Sequence, residues 1–314
     1  MIWEHVLFFI LSGIFLVLSG IFLVKSLDKI AKFLRISEFT AAFIIMAVAT
    51  SIPELFVGIS SAIQGNPELS LGNVIGANII DLTIITGIFI LLAKGIKLKS
   101  GKVGAGVYFM FASISLLILL YFIGNSISRF DGVILVSLFL VNSYRMFRKK
   151  EKYFAESKQK RFSRKEIVAS SLIFSLSLLV LFISSNYIVK YAGLIALDFS
   201  LPQIIVGLFL ISIATTLPEL VFGIDAVLLS HSEMAIGDQI GTVFTNICLI
   251  IGIVAIIHPI TSSMLPFAVS SAFMLLSAFL FVIFIKTGRK LEVIEGVSLI
   301  LLYLFFVTIQ FFIR

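Results

Sequence analysis

The sequence predicts an all-α integral membrane protein of ten transmembrane helices, arranged as two inverted five-helix repeats. Three observations predict it. Of the 314 residues, 60% are hydrophobic and 13% charged, whereas a soluble domain carries about a quarter charged residues. Too little polar surface is available to cover a water-soluble fold. The apolar runs reach the roughly 20 residues that a helix needs to cross a bilayer, and they lack the alternation of a membrane β-barrel. Finally, a slide of 165 positions lays residues 37–87 on 202–252 without a gap. That offset covers five spans, an odd number, so the two halves must cross the membrane in opposite senses.

The spans fall at 4–26, 37–63, 69–93, 103–124, 129–147, 167–190, 201–229, 236–257, 264–286 and 292–313. The first opens with MIWEHVLFFILSG, which has no basic n-region and no small-residue cleavage site, so it reads as a retained helix. The second carries ATSIPEL (49–55) in its middle, and the seventh carries ATTLPEL (214–220). The third and eighth contain GNVIGANIID (72–81) and GDQIGTVFTN (237–246). A basic stretch, RKKEKYFAESKQKRFSRKE at 148–166, divides the chain into a first repeat (1–147) and a second, inverted one (167–314).

Basic residues test this count. Twenty-one of the 24 Lys and Arg lie in loops after odd-numbered spans, and only Arg129, Lys190 and Arg314 lie on the other side. Cytoplasmic loops are enriched in Lys and Arg, so both termini are predicted outside and the 148–166 loop inside, in a cell membrane. The net charge of +7 follows from this topology, and no nucleic-acid partner is expected. The loop reads first as a topology determinant, with binding of anionic lipid or a regulator as the alternative. The single cysteine, Cys248, excludes an internal disulfide, and His5, His231 and His258 form no HExxH motif.

The repeated pairs include Ala49/Ala214, Thr50/Thr215, Pro53/Pro218, Glu54/Glu219, Leu55/Leu220, Gly58/Gly223, Gly72/Gly237, Gly76/Gly241 and Gly87/Gly252. Apolar composition alone does not produce a shared Pro-Glu-Leu. Pro53 has no N–H, so the carbonyl of Ala49 loses its helical partner; Pro218 does the same to Ala214. Neighbouring carbonyls, those of Ala47, Thr50, Ser212 and Thr215, are candidates to loosen too. A free carbonyl at membrane depth must be satisfied, and a cation can satisfy it. Each motif thus offers a carboxylate, a hydroxyl and carbonyls in one small volume. Two such motifs brought together make an all-oxygen site of the kind Ca²⁺ takes. A lone proline kink or a lone buried glutamate has a purely structural reading, but intramembrane acids usually mark an ion path.

Asp81 and its counterpart Asn246 add a third carboxylate and a neutral ligand. Asn78 reads equally as a supporting group or as an interhelix hydrogen bonder. Asp225 reads as a hydrated helix end in preference to an access route. Asp238 is placed at the start of span eight, where a helix N-terminus favours an acid.

These motifs resemble the cation/Ca²⁺ exchanger superfamily, in particular its archaeal and bacterial sodium/calcium exchanger branch. The resemblance covers nearly the whole chain and is sharpest in ATSIPEL…GNVIGANIID and ATTLPEL…GDQIGTVFTN. It implies Ca²⁺ held by Glu54 and Glu219 with the carbonyls of Thr50 and Thr215. It implies Na⁺ sites sharing those glutamates with Ser51, Thr216, Thr242, Asp81, Asn246 and the carbonyls of Ala47 and Ser212. The chain departs from the family pattern at Ala49 and Ala214, where glycine is usual, and at Ala77, where a serine hydroxyl is usual. Some relatives carry the acid at the Asn246 position and asparagine at the Asp81 position.

The expected function is antiport of Ca²⁺ against Na⁺ by alternating access, with spans one and six sliding past the site helices. No cofactor and no obligate protein partner is expected. The nearest alternative is Ca²⁺/H⁺ exchange, followed by exchange of another divalent ion. A cation channel usually forms from a ring of subunits, and a membrane enzyme would need a nucleophile and base that are not apparent.

Overall fold

The computed structural model describes residues 2–33, 46–98, 101–148, 164–288 and 290–312. Most of the 148–166 loop and residues 37–45 of the second expected span lie outside the described residues. The fold is helical. The helices are α1 (Ile2–Phe33), α2 (Ala47–Thr50), α3 (Ile52–Ile63), α4 (Pro67–Leu92), α5 (Gly101–Gly124) and α6 (Arg129–Arg148), then α7 (Arg164–Asp198), α8 (203–215), α9 (Leu217–Leu228), α10 (Ser232–Ile257), α11 (Met264–Gly288) and α12 (Val293–Phe312). One two-residue ladder pairs β1 (Ile96–Lys97) with β2 (Lys290–Leu291). Among the described residues, eight helical segments are long and apolar enough to cross a membrane. The fifth expected span is α6, and the second is described only from residue 46.

Element boundaries recur at the 165-residue offset. Ala47–Thr50 and Ser212–Thr215, Ile52–Ile63 and Leu217–Leu228, Pro67–Ile80 and Ser232–Thr245, Asp81–Ile85 and Asn246–Ile250, and Thr86–Leu92 and Ile251–Ile257 each match at both ends. The turns match as well: Asn66 N–H donates to the Ser61 carbonyl at 2.8 Å, and His231 N–H donates to Ala226 at 2.8 Å. Each turn passes through one left-handed residue, Gly65 (φ 75°) or Ser230 (φ 64°). Glycine takes that conformation without strain, and Ser230 takes it in an exposed turn.

The two halves interlock. Gly58 of α3 faces Val254 of α10, and Gly223 of α9 faces the Phe89 ring of α4, so any side chain at either glycine would collide with it. Val254 and Phe89 themselves stand 165 residues apart. On α4, Gly72 and Gly76 admit the backbone of α8 at Ile204 and Leu208. These small residues bring helix backbones together where lipid offers no hydrophobic drive for association.

Helix α1 packs along α7. His5 at the start of α1 meets Asp198 at the end of α7, at 2.6 Å, and Phe8 stacks on Tyr191. The pair is therefore antiparallel. Their apolar side chains are largely exposed on the outer surface, as expected of lipid-facing helices. The central helices α4 and α10 are instead buried over most of their length.

Candidate ion-binding site

The two Pro-Glu motifs interrupt the helices where the sequence predicts. The helical path breaks at Ser51 (φ −76°, ψ 1°) and at Thr216 (φ −81°, ψ −5°). Pro53 and Pro218 then sit in the first turns of α3 and α9, where the proline ring is tolerated because no intrahelical bond from its N–H is required. This register puts Glu54 and Glu219 in those same first turns, at the positive end of each helix.

Glu54, Glu219 and Asp81 are fully buried and within coulombic range of one another. Both oxygens of each glutamate and Oδ2 of Asp81 have no hydrogen-bond partner. None of these carboxylates takes part in an ion pair among the described residues. Buried carboxylates without counter-charge cost several kcal/mol each, about as much as any isolated buried ion, so the centre is built to be occupied by cations or protons.

The hydroxyls are divided between the halves. Thr50 Oγ1 stands 3.2 Å from Thr242 Oγ1 of α10, and Thr215 Oγ1 donates to Asn73 Oδ1 of α4 at 3.0 Å. Ser51 is buried with its hydroxyl unpartnered, whereas Thr216 donates to Ser212 O at 2.9 Å. The carbonyl of Ala47 accepts Ser51 N–H and the Thr50 hydroxyl, both at 3.3 Å. The carbonyl of Ser212 accepts Thr216 N–H at 3.0 Å. In this conformation both carbonyls are taken up locally.

Asp81 and Asn246 each open a five-residue π-helical stretch. Such stretches free carbonyls from the α ladder and occur often at functional sites. Thr86 Oγ1 donates to the Asp81 carbonyl at 2.7 Å. With its amide nitrogen turned to Asp81, Gln239 of α10 donates to Asp81 Oδ1 at 3.3 Å and to its carbonyl at 3.2 Å. Asn246 Nδ2 donates to Asn78 Oδ1 at 3.0 Å, an interhelix hydrogen bond between α10 and α4. Asp225 is exposed, in keeping with a hydrated helix end. Among the described residues, no three His, Cys, Asp or Glu side chains converge as a ready-made metal cluster. A bound cation would have to combine carboxylates with hydroxyls and carbonyls.

A family model described as sodium/calcium exchanger protein matches residues 4–148 and 169–312. The chain belongs to that family. The sodium/calcium exchanger MaX1 of Methanosarcina acetivorans is 27% identical over 92% of this chain and 93% of that protein. The uncharacterized membrane protein MJ0091 of Methanocaldococcus jannaschii is 24% identical over 88% of each chain. The solved structure of the sodium-calcium exchanger NCX_Mj, soaked with 100 mM Na⁺ and 10 mM Sr²⁺, shares the fold at a TM-score of 0.69 and 21% identity, over 98% of this chain and 99% of that one. The chain is thus a multi-pass membrane transporter of the exchanger family.

Within this exchanger, one expectation is corrected. Asp238 does not begin its helix: α10 starts at Ser232, after the turn through Ser230, so Asp238 lies in the second turn, about 9 Å from the helix start at 1.5 Å per residue. It is fully buried, both its oxygens lack partners, and it is within coulombic range of Asp81 and Glu219. The signal was present in the repeat, because Asp238 aligns with Asn73 in the shared G-[N/D]-x-I-G pattern.

Proposed function

We infer that this exchanger moves Ca²⁺ against Na⁺ across the cell membrane by alternating access. The observation that carries the reading is the pair Glu54 and Glu219: two buried carboxylates, each in the first turn after a helix break, with every oxygen free of hydrogen-bond partners. Their combined charge matches one divalent cation. The glutamates and the carbonyls of Thr50 and Thr215 hold Ca²⁺. Na⁺ ions use the same glutamates with Ser51, Thr216, Thr242, Asp81, Asn246 and the carbonyls of Ala47 and Ser212. The transported ions are substrates, and no resident cofactor is involved.

The ten-helix architecture, in two inverted repeats at 1–147 and 167–314, is supported by the matched element boundaries and by the antiparallel packing of α1 on α7. These two helices stand for each other at the 165-residue offset. Helices related by an inverted repeat run in opposite senses. The excess of Lys and Arg in loops after odd-numbered spans supports outside termini and an inside 148–166 loop.

Coupling follows from charge. An empty site leaves its carboxylates uncompensated, so the bundle reorients only when Ca²⁺ or Na⁺ is bound. Helices α1 and α7 pack together and run alongside the broken segments, with α1 against α9 and α7 against α3, which suits them to slide as a pair.

Ca²⁺/H⁺ exchange is a second reading, favoured by Ala77, which supplies no hydroxyl where its counterpart Thr242 has one. Reconstituted vesicles separate the two. With Na⁺ and pH gradients varied independently, ⁴⁵Ca²⁺ uptake should follow the outward Na⁺ gradient at fixed pH. Uptake that follows only the pH gradient would replace the Na⁺ reading with the H⁺ one.

A further inference from the structure

The halves differ in charge where Asn73 and Asp238 correspond. Asn73 accepts the Thr215 hydroxyl through Oδ1 at 3.0 Å. Its counterpart receives no such bond, because Thr50 donates its hydroxyl to Ala47 O (3.3 Å) and stands 3.2 Å from Thr242 Oγ1. Asp238 is left fully buried with two unpartnered oxygens and no basic residue paired to it among the described residues. Asp238 and Thr242 are four residues apart on one helix and therefore share a face. Thr242 marks that face as the one turned to α2 and Thr50.

Charge bookkeeping separates Asp238 from the other acids. Glu54 and Glu219 balance a divalent ion, and Asp81 accepts a hydrogen bond on Oδ1 when the Gln239 amide nitrogen is turned to it. Asp238 has neither. A further carboxylate buried within range of Asp81 and Glu219 calls for neutralisation by a further cation or a proton. We propose that Asp238, with the hydroxyls of Thr242 and Thr50, forms an additional subsite for one monovalent cation, placed on the α10 face toward α2. This deepens the exchange reading and rests on it for the identity of Na⁺ as the physiological occupant. It makes the two half-sites unequal and raises by one the number of monovalent ions that a loaded chain holds.

The test counts sites on purified protein. Wild type, Asp238→Asn and Asp238→Glu are compared for saturating ²²Na⁺ binding, with ⁸⁶Rb⁺ as a second arm to distinguish Na⁺ from K⁺. Asparagine already stands at the corresponding Asn73, so Asp238→Asn is compatible with this helix packing, and thermal unfolding checks that both variants fold. The expected result is one monovalent site fewer per chain in Asp238→Asn and the wild-type number in Asp238→Glu. Equal site numbers in wild type and Asp238→Asn overturn the proposal, since Asp238 would then hold only a proton. Failure of the exchange reading would show separately, as wild-type ⁴⁵Ca²⁺ flux indifferent to a Na⁺ gradient, and does not enter the site count.

Discussion

Thr50 Oγ1 lies 3.2 Å from Thr242 Oγ1, joining two helices that are 192 residues apart in the chain. Thr215, the counterpart of Thr50, joins the halves in the opposite direction through a different partner, Asn73 of α4. Each broken segment is thus tied to a helix of the other half, α2 to α10 and α8 to α4. Thr50→Val and Thr242→Val should therefore be non-additive. A double-mutant cycle on Ca²⁺-dependent thermal stability should give a coupling of about 1 kcal/mol, within the usual range for contacting residues. Additive effects would contradict a shared contact.

Gly20 of α1 faces both helix breaks. A Cβ there would stand 2.7 Å from Pro218 Cγ and 3.2 Å from Pro53 Cγ. If α1 slides across these prolines during transport, bulk at residue 20 obstructs the motion. Overpacking costs about 1–3 kcal/mol, and each 1.4 kcal/mol on a barrier is about tenfold in rate. Gly20→Val should slow ⁴⁵Ca²⁺ flux about tenfold or more, Gly20→Ala less, with equilibrium Ca²⁺ binding changed little. Equal losses of flux and binding would point to a static packing role.

The α4–α8 contact bears on stability through close backbone packing. A Cβ at Gly72 would lie 2.2 Å from the Ile204 carbonyl oxygen, and backbone cannot swing aside as a side chain can. Gly72→Val should lower thermal stability in detergent, by an amount at or above the usual overpacking cost of about 1–3 kcal/mol, whether or not Ca²⁺ is present. A variant of wild-type stability would mean that the two helices do not approach so closely.

Much of this was legible in the sequence because the repeat is written in residues with strong backbone consequences. Pro53 and Pro218 announced the breaks, and glycines at shared positions announced close helix contacts; Gly58 and Gly223 each face a residue of the opposite half. Other features depend on tertiary context. The π-helical stretches at Asp81 and Asn246 carry no local signature. Asp238 was misplaced because hydropathy begins the span at residue 236, whereas the helix starts at the polar Ser232. Hydropathy finds where the apolar run begins, and a helix can extend several residues beyond it. The hydroxyl contacts between halves were invisible, since the offset alignment relates each motif to its copy and not to its spatial neighbour.

The account rests on Glu54 and Glu219 acting together on one ion, and the most direct measurement is ⁴⁵Ca²⁺ binding to purified wild type, Glu54→Gln and Glu219→Gln. Breaking a buried charge pair costs about 3–5 kcal/mol, so each variant should lose Ca²⁺ affinity by about 100-fold or more while remaining folded. Transport should be lost with it. Near-wild-type binding in either variant would contradict the shared site.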